Sequence, residues 1–171
     1  MKHYSDGYSR TQVLLHWTIA TLVLAVLFTH EDFLTDQAAL LHGMPLTPGQ
    51  VALREIHLWG GAIVFPLAVW RLVIRQSVGV PAPPQREPPA LRMAAAGTHL
   101  LLYLLIFVLP LSGVLIYYHV LPSVSGAVHR FGEPALFILA LAHTGASLVH
   151  HFYWKTDVLR RMLKPVKSTS G

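Results

Sequence analysis

The chain has 171 residues, of which 53% are hydrophobic and only 12% charged, with a formal net charge of +5. Soluble domains usually carry about 25% charged residues, so this composition and a mean hydropathy of +0.49 indicate an integral membrane protein. Basic cytoplasmic loops account for the positive charge without a nucleic-acid partner. The absence of cysteine excludes disulfides, cysteine-ligated iron–sulfur clusters and covalently attached c-type haem.

Four apolar stretches that are long enough to cross a bilayer follow one another along the chain. We predict membrane-spanning helices over residues 13–29, 51–74, 94–118 and 129–154. A loop with an acidic segment at 31–36 joins the first two spans, and a Pro-rich, extended connector at 80–89 joins the second and third. No signal-peptide cleavage site follows the first run, which predicts a retained span. The predicted fold is all-α, a single transmembrane domain over residues 1–171 built as a four-helix bundle.

The basic residues are distributed unequally between the two ends of this bundle. With both termini on one side, that side receives eleven of the thirteen Lys and Arg residues, and the other side receives only Arg54 and Arg130. Short loops rich in Lys and Arg remain in the cytoplasm. We therefore predict that both termini are cytoplasmic.

Four histidines lie within these spans or at their edges, where a polar ring is costly and usually marks a function. His129 and His143 are fourteen residues apart, so on one helix they share nearly one face, about 21 Å apart along the axis. We predict pairs of histidines that lie at matching depths in the membrane. His143 would pair with His16 on the cytoplasmic side, and His129 would pair with His57 at the outer ends of their spans. Two such pairs suit bis-histidine ligation of two haems, an arrangement that serves electron transfer because the protein fills both axial positions.

Three further residues are predicted to lie near the inner pair. Arg71 is fourteen residues after His57, hence on nearly the same face at the inner depth, where its guanidinium suits a haem propionate. His150, seven residues after His143, and His99, near the cytoplasmic boundary of the third span, are candidates for a quinone or propionate pocket. Either histidine could replace a ligand of the inner pair. The alternatives are interhelical hydrogen bonds for the histidines and an interfacial anchor for Arg71.

Several short motifs, spread over all four spans, carry a family resemblance. They are YSRTQVLLHW at 8–17, Ile56-His57 with Arg71-Leu72, HLLLYLL at 99–105, PLSG at 110–113, and Ala142-His143 through HHFYWK at 150–155. In these motifs the sequence resembles the prokaryotic cytochrome b561 family. The resemblance implies a cytochrome of the bacterial inner membrane with two haem b groups, whose axial ligands fall on His16, His57, His129 and His143.

The resemblance also implies electron transfer to ubiquinone or another membrane quinone at the inner side. One branch of the family takes its electrons from superoxide on the outer side. The connection between the third and fourth spans is shorter here than in that branch, and the predicted outer surface is rich in acidic residues. A superoxide donor would therefore require that Arg54 and Arg130 focus the anion at the outer haem.

Two other functions remain open from the sequence. The chain could be a haem-bearing anchor subunit that takes electrons from a redox partner protein, such as a dehydrogenase or a hydrogenase-like enzyme. A function of another class is a His-lined metal-ion transporter, because buried ionisable residues mark ion paths. The carboxylates in the spans, Glu55 and Glu133, are both near the outer boundary.

Overall fold

The computed structural model describes residues 4–5, 7–29, 40, 42–84 and 87–166. Four long helices dominate it, each long and apolar enough to cross a membrane. They are α1 (Arg10–Phe28), α2 (Pro48–Val78), α3 (Pro89–Tyr117) and α4 (Pro122–Phe152), and a short helix α5 (Val158–Leu163) follows. The predicted all-α bundle of four apolar helices is confirmed. The predicted acidic segment at 31–36 lies outside the described residues.

Local capping moves the starts of α1 and α2 three residues ahead of the predicted spans. The Ser9 side chain accepts a hydrogen bond from the Gln12 backbone N–H, and the Gln12 side chain accepts one from the Ser9 N–H. Thr47 and Gln50 form the same reciprocal box in front of α2. Each box satisfies backbone donors that a helix start leaves without a partner, and it stabilises that start by about 1 kcal/mol.

Prolines begin the other two long helices, which extend further ahead of the predicted spans. α3 begins at Pro89, five residues before the predicted start, and α4 begins at Pro122, seven residues before it. Proline suits the first helical position because its missing N–H would have no helical partner there. His129 therefore lies about two turns inside α4 rather than at its end.

Helix pairs pack closely on two sides of the bundle, α1 with α2 and α3 with α4. A Cβ atom added to Gly60 would lie 2.8 Å from the Val26 side chain, and one added to Gly132 would lie 2.9 Å from Leu109. Small residues thus bring these helices together, as is usual in membranes. In the described part of the chain α4 makes few close backbone contacts with α1 or α2. A loosely packed seam therefore separates α4 from the α1–α2 pair.

The two described chain ends meet at one end of the bundle, which we call the terminal end. The Val166 N–H donates to the Tyr8 carbonyl at 3.0 Å. Tyr4–Ser5 (β1) pairs in parallel with Val80–Pro81 (β2), part of the predicted extended connector. At the opposite end, which we call the distal end, α3 turns directly into α4 through residues 118–121.

Candidate cofactor sites

At the terminal end, two histidine rings face each other across the seam. His16 on α1 and His143 on α4 have ring centroids 6.2 Å apart, with the ring planes at 70°. A third ring, His99 on α3, lies 5.1 Å from His143. The structure therefore brings three of the predicted histidines together at this depth.

Nearer the distal end, His57 on α2 and His129 on α4 form a second pair across the same seam. Their ring centroids are also 6.2 Å apart, with the ring planes at 58°. Fourteen residues of α4 separate this pair from the first, which corresponds to about 21 Å along the helix. The structure thus contains two facing imidazole pairs at two depths.

Hydrogen bonds orient the ring of His129. Its Nδ1 lies 3.1 Å from the Leu109 carbonyl and 3.0 Å from the Ser112 hydroxyl, which itself donates to that carbonyl. A carbonyl oxygen only accepts, so Nδ1 carries the proton and Nε2 carries the lone pair. Gly113 adds room beside the ring, since a Cβ there would lie 3.3 Å from the ring carbon Cε1.

The ring of His57 has a comparable but longer contact. Its Nδ1 lies 3.5 Å from the Thr29 hydroxyl, and that hydroxyl donates to the Val26 carbonyl at 3.0 Å. Metal-binding histidines commonly donate their second ring N–H to a nearby carbonyl or hydroxyl oxygen. Sequence reasoning did not identify Ser112 and Thr29 in this role. The sequence feature that could have identified them is that each is a hydroxyl residue within a predominantly apolar predicted span.

The separation of the rings tests whether the two pairs fit a haem iron. Two imidazoles on opposite sides of one metal ion, each with a metal–nitrogen bond of about 2 Å, have ring centroids roughly 6.3 Å apart. Both facing pairs, at 6.2 Å, match this spacing, whereas His99 and His143, at 5.1 Å, are too close for it. The loosely packed seam also leaves the helices apart where a flat macrocycle has to enter. The residues present therefore fit two bis-histidine haems.

The glycines near the rings have different roles. A Cβ atom added to Gly61 or to Gly145 would have no neighbour within 4 Å, so the backbone there is open to a flat group. Gly60 differs, because it lies against Val26 of α1. Its small size serves helix packing rather than the approach of a ring.

Arg71 lies beside the terminal-end pair, as its spacing predicts. It is within electrostatic range of both His16 and His143, and its Nη1 donates to the Gln12 carbonyl at 3.3 Å. Within the described residues no carboxylate lies within ion-pair distance of it. A guanidinium in this position suits an anionic group such as a propionate.

His150 takes part in a polar cluster at the end of α4. Its Nε2 lies 3.5 Å from a Glu87 carboxylate oxygen, and its Nδ1 lies 3.1 Å from the Thr156 hydroxyl. The Glu87 side chain is almost fully buried and also lies 4.0 Å from Arg92. Sequence reasoning did not connect Glu87 with His150, because the carboxylate comes from the Pro-rich connector.

Tyr103, one turn after His99 on α3, has a buried hydroxyl with no hydrogen-bond partner among the described residues. Buried hydroxyls are costly without a partner and are rarely left so. The phenol is therefore available as a donor to a group that the described residues do not supply.

Across the part of the chain that the structure describes, no cluster of three or more His, Asp or Glu side chains has the geometry to hold a metal ion directly.

The fold and these sites define a membrane protein with two facing imidazole pairs inside a helical bundle. The sequence profile of the prokaryotic cytochrome b561 family matches residues 7–165. The chain is 30% identical to cytochrome b561 homolog 1 of Escherichia coli, covering 92% of this chain and 97% of that protein. It is 31% identical to cytochrome b562 of Cereibacter sphaeroides, covering 93% and 96%. A probable superoxide oxidase of Yersinia pestis is 25% identical over 91% of this chain and 95% of that protein.

The chain belongs to the prokaryotic cytochrome b561 family, and it is a bacterial membrane protein of electron transfer whose family implies haem b. The haem ligands assigned above, and the roles of Arg71, His99 and His150, stay predictions.

Replacement of Ser112 tests the orientation of the His129 ring. We expect Ser112→Ala to weaken haem binding at the distal pair by about 10- to 100-fold, because groups that orient a metal-binding histidine contribute on this scale. Haem titration of the purified apoprotein, followed in the Soret band, measures this loss. Ser123→Ala, which changes an exposed serine in the first turn of α4, is the control. Equal haem affinity in both variants would contradict the proposed role.

Proposed function

We propose that this protein is a di-haem b cytochrome that passes electrons across the membrane from a donor on the outer side to a quinone on the cytoplasmic side. The observation that carries this proposal is that the bundle contains two facing imidazole pairs at two depths. In each pair the ring centroids are 6.2 Å apart. One pair lies toward each end of the bundle, so the two haems would lie toward opposite membrane surfaces, as transfer across a bilayer requires.

Four histidines would hold the two groups. His16 and His143 would supply the axial ligands toward the terminal end, and His57 and His129 would supply those toward the distal end. When bound, each haem supplies a single iron that alternates between the ferric and ferrous states. With two histidines holding each iron, no position would be open to oxygen, and the chemistry would be confined to electron transfer.

Polar groups of the chain would position the cofactor at the terminal end. Arg71, which is close to both rings there, would pair with a propionate through its planar guanidinium. The buried hydroxyl of Tyr103 would donate a hydrogen bond to the same cofactor. The Tyr103 hydroxyl would thereby gain the hydrogen-bond partner that it lacks among the described residues, and Arg71 would gain an anionic partner beside the Gln12 carbonyl.

The charge distribution supports the proposed orientation. In the topology predicted from the sequence, eleven of the thirteen Lys and Arg residues fall on the side of the chain termini, so the positive-inside rule favours a cytoplasmic terminal end. The quinone would bind at this end, where His99 adjoins the inner pair and His150 is held beside Glu87. Two electrons and two protons convert the quinone to the quinol, and the protons would come from the cytoplasm.

Superoxide is the donor that we propose for the outer side. Arg130 follows the outer ligand His129 directly, and Arg54 precedes His57 by three residues, so both cations belong to the distal end. Focused at the outer pair, these two charges would attract an anion there against the opposing carboxylates of Glu55 and Glu133. Two superoxide anions would each give one electron and leave as oxygen, which balances the reduction of one quinone. A relative described as a probable superoxide oxidase supports this choice.

Haem stoichiometry is the first test of this function. We expect the purified protein to show a b-type reduced-minus-oxidised spectrum and about two haems per chain by pyridine haemochrome assay, since the ligands present allow bis-histidine ligation. A correctly folded, colourless protein would rule out the proposal. A single haem per chain would restrict it to one of the two pairs.

The donor is tested separately on the same preparation. Superoxide generated enzymatically should reduce a short-chain ubiquinone in the presence of the protein, and added superoxide dismutase should abolish this reduction. If other donors reduced the haems rapidly and superoxide did not, the protein would still be a di-haem cytochrome, but superoxide would not be its donor.

A further inference from the structure

A small pocket opens at the terminal end, between the end of α4 and the short helix α5. It has a volume of about 200 Å³ and is lined by His151, Lys155, Thr156, Asp157 and Arg160. Since a water molecule takes about 30 Å³ of the liquid, this space accommodates a phosphate group together with some of its hydration. None of the lining residues belongs to the imidazole pairs described above.

The backbone that forms one wall of the pocket is strained. Lys155 has a φ of +52°, a left-handed conformation that residues other than glycine rarely adopt. Residues held in such conformations cluster at functional sites, where the surrounding structure maintains them. Here the next residue holds the turn, because the Thr156 N–H and hydroxyl both donate to the His150 carbonyl, at 2.8 and 3.2 Å. The turn brings two successive polar residues, Lys155 and Thr156, into the lining of the pocket.

The opposite wall, α5, is tied to the rest of the bundle. The Trp17 indole N–H donates to the Met162 carbonyl at 2.8 Å, and the Arg161 Nη1 donates to the Ala82 carbonyl at 2.7 Å. These contacts come from α1 and from the Pro-rich connector, so two separate elements hold α5 in place. The pocket is therefore formed before any ligand arrives, which lowers the entropic cost of binding.

The side chains that line the pocket give it a positive charge. Lys155 and Arg160 are cationic, and His151 adds a ring N–H donor. The single acidic residue, Asp157, is paired with Arg161 at 2.8 Å, so its charge is largely offset. The combination favours a compact anion with several acceptor oxygens.

The position of the pocket relative to the bilayer is given by the aromatic residues just before it. Phe152 and Tyr153 are 71% and 79% exposed, and Trp154 is 44% exposed. Exposed aromatic side chains at a helix end mark the interface between hydrocarbon and headgroups. The basic pocket follows them directly, at the level of lipid phosphates.

From this geometry we propose that the pocket binds the phosphate group of an anionic phospholipid. Basic pockets on the cytoplasmic side of membrane proteins are suited to such headgroups. Lys155 and Arg160 supply the charge together with N–H donors, and the His151 ring supplies a further hydrogen bond. Free inorganic phosphate has the same chemistry, so the experiment separates the two sources. The proposal is independent of the haem ligands and of the electron donor.

The experiment measures lipid binding by the full-length protein with its haem bound. Native mass spectrometry titrates the detergent-solubilised protein with phosphatidylglycerol or with phosphatidylcholine, and a parallel titration uses inorganic phosphate. We expect Lys155→Gln and Arg160→Gln each to weaken phosphatidylglycerol binding about fivefold, the usual contribution of one basic residue near an anionic surface. Lys164→Gln is the matched control, because it removes the same charge from the same segment outside the pocket lining.

Each outcome of this titration decides the proposal. Weaker phosphatidylglycerol binding in the two pocket variants, with the control unchanged, supports a lipid site. The same variant pattern with inorganic phosphate supports the phosphate site and assigns it to a free anion. Equal losses in all three variants would indicate diffuse attraction and overturn the proposal, as would equal affinity for the two lipids. Lys155→Gly guards against misfolding, because it should relieve the strained turn while still weakening binding.

Discussion

The His143→Ala protein is expected to hold about one haem per chain instead of two and to lose quinone reduction. His143 is the α4 member of the terminal-end pair, and without it the iron at that depth keeps only the His16 ligand. His16→Ala should remove the same haem, because the two rings lie on opposite sides of one iron in the proposed site. Pyridine haemochrome analysis and low-temperature difference spectra, which resolve the two haems, measure this result.

The control for the terminal-end pair is His99→Ala. The His99 ring lies nearer to the His143 ring than the His16 ring does, but its 5.1 Å separation is too short for a shared iron. We therefore expect this variant to keep both haems. If His99→Ala lost a haem and His16→Ala kept both, the ligand opposite His143 would be His99 and not His16.

The His57→Ala protein is expected to lose the other haem and to retain the one at the terminal end. Without the distal haem, electrons from an outer donor cannot enter, so superoxide-driven quinone reduction should fall to background. Reduction of the remaining haem by quinol should persist, because the quinone would bind at the opposite end. His129→Ala should give the same spectrum as His57→Ala, since the two rings share one site.

Two further variants complete this second test. His119→Ala, at the same end of the bundle but in the turn after α3, is the control and should keep both haems. The double variant His57→Ala, His143→Ala should contain no haem, because it removes one ligand from each pair. A spectrum of the double variant that still showed one haem would mean that another residue holds iron.

The four spans were predictable because hydropathy is summed over local windows, and each window is dominated by its own residues. The helix starts were less predictable. The capping box of Ser9 and Gln12 and the proline starts at Pro89 and Pro122 depend on single polar or cyclic residues outside the apolar runs. A hydropathy average over a window does not register single residues of this kind. The predicted start of α4 therefore lies seven residues after the observed one.

The depth at which each histidine lies was also accessible from the sequence, because the rise per residue of a helix is constant. The rotation of one helix against the next was not. His16 and His99 both lie at the depth of His143, and only the packed structure separates them, at 6.2 and 5.1 Å. The contact of Ser112 with His129 and that of Glu87 with His150 join distant parts of the chain and needed the tertiary structure for the same reason.

The sequence by itself determined that this is a four-span membrane protein with intramembrane histidines at two depths and basic residues concentrated at one end. Periodicity, hydropathy and charge are local or additive properties, so they survive without knowledge of the packing. Only the tertiary structure decided which rings face each other across the seam and which side chains orient them. It also decided that the basic residues after α4 enclose a pocket. These features depend on how closely the helices approach, and that approach is determined by side chains such as Val26 and Leu109, which pack against glycines of the neighbouring helix.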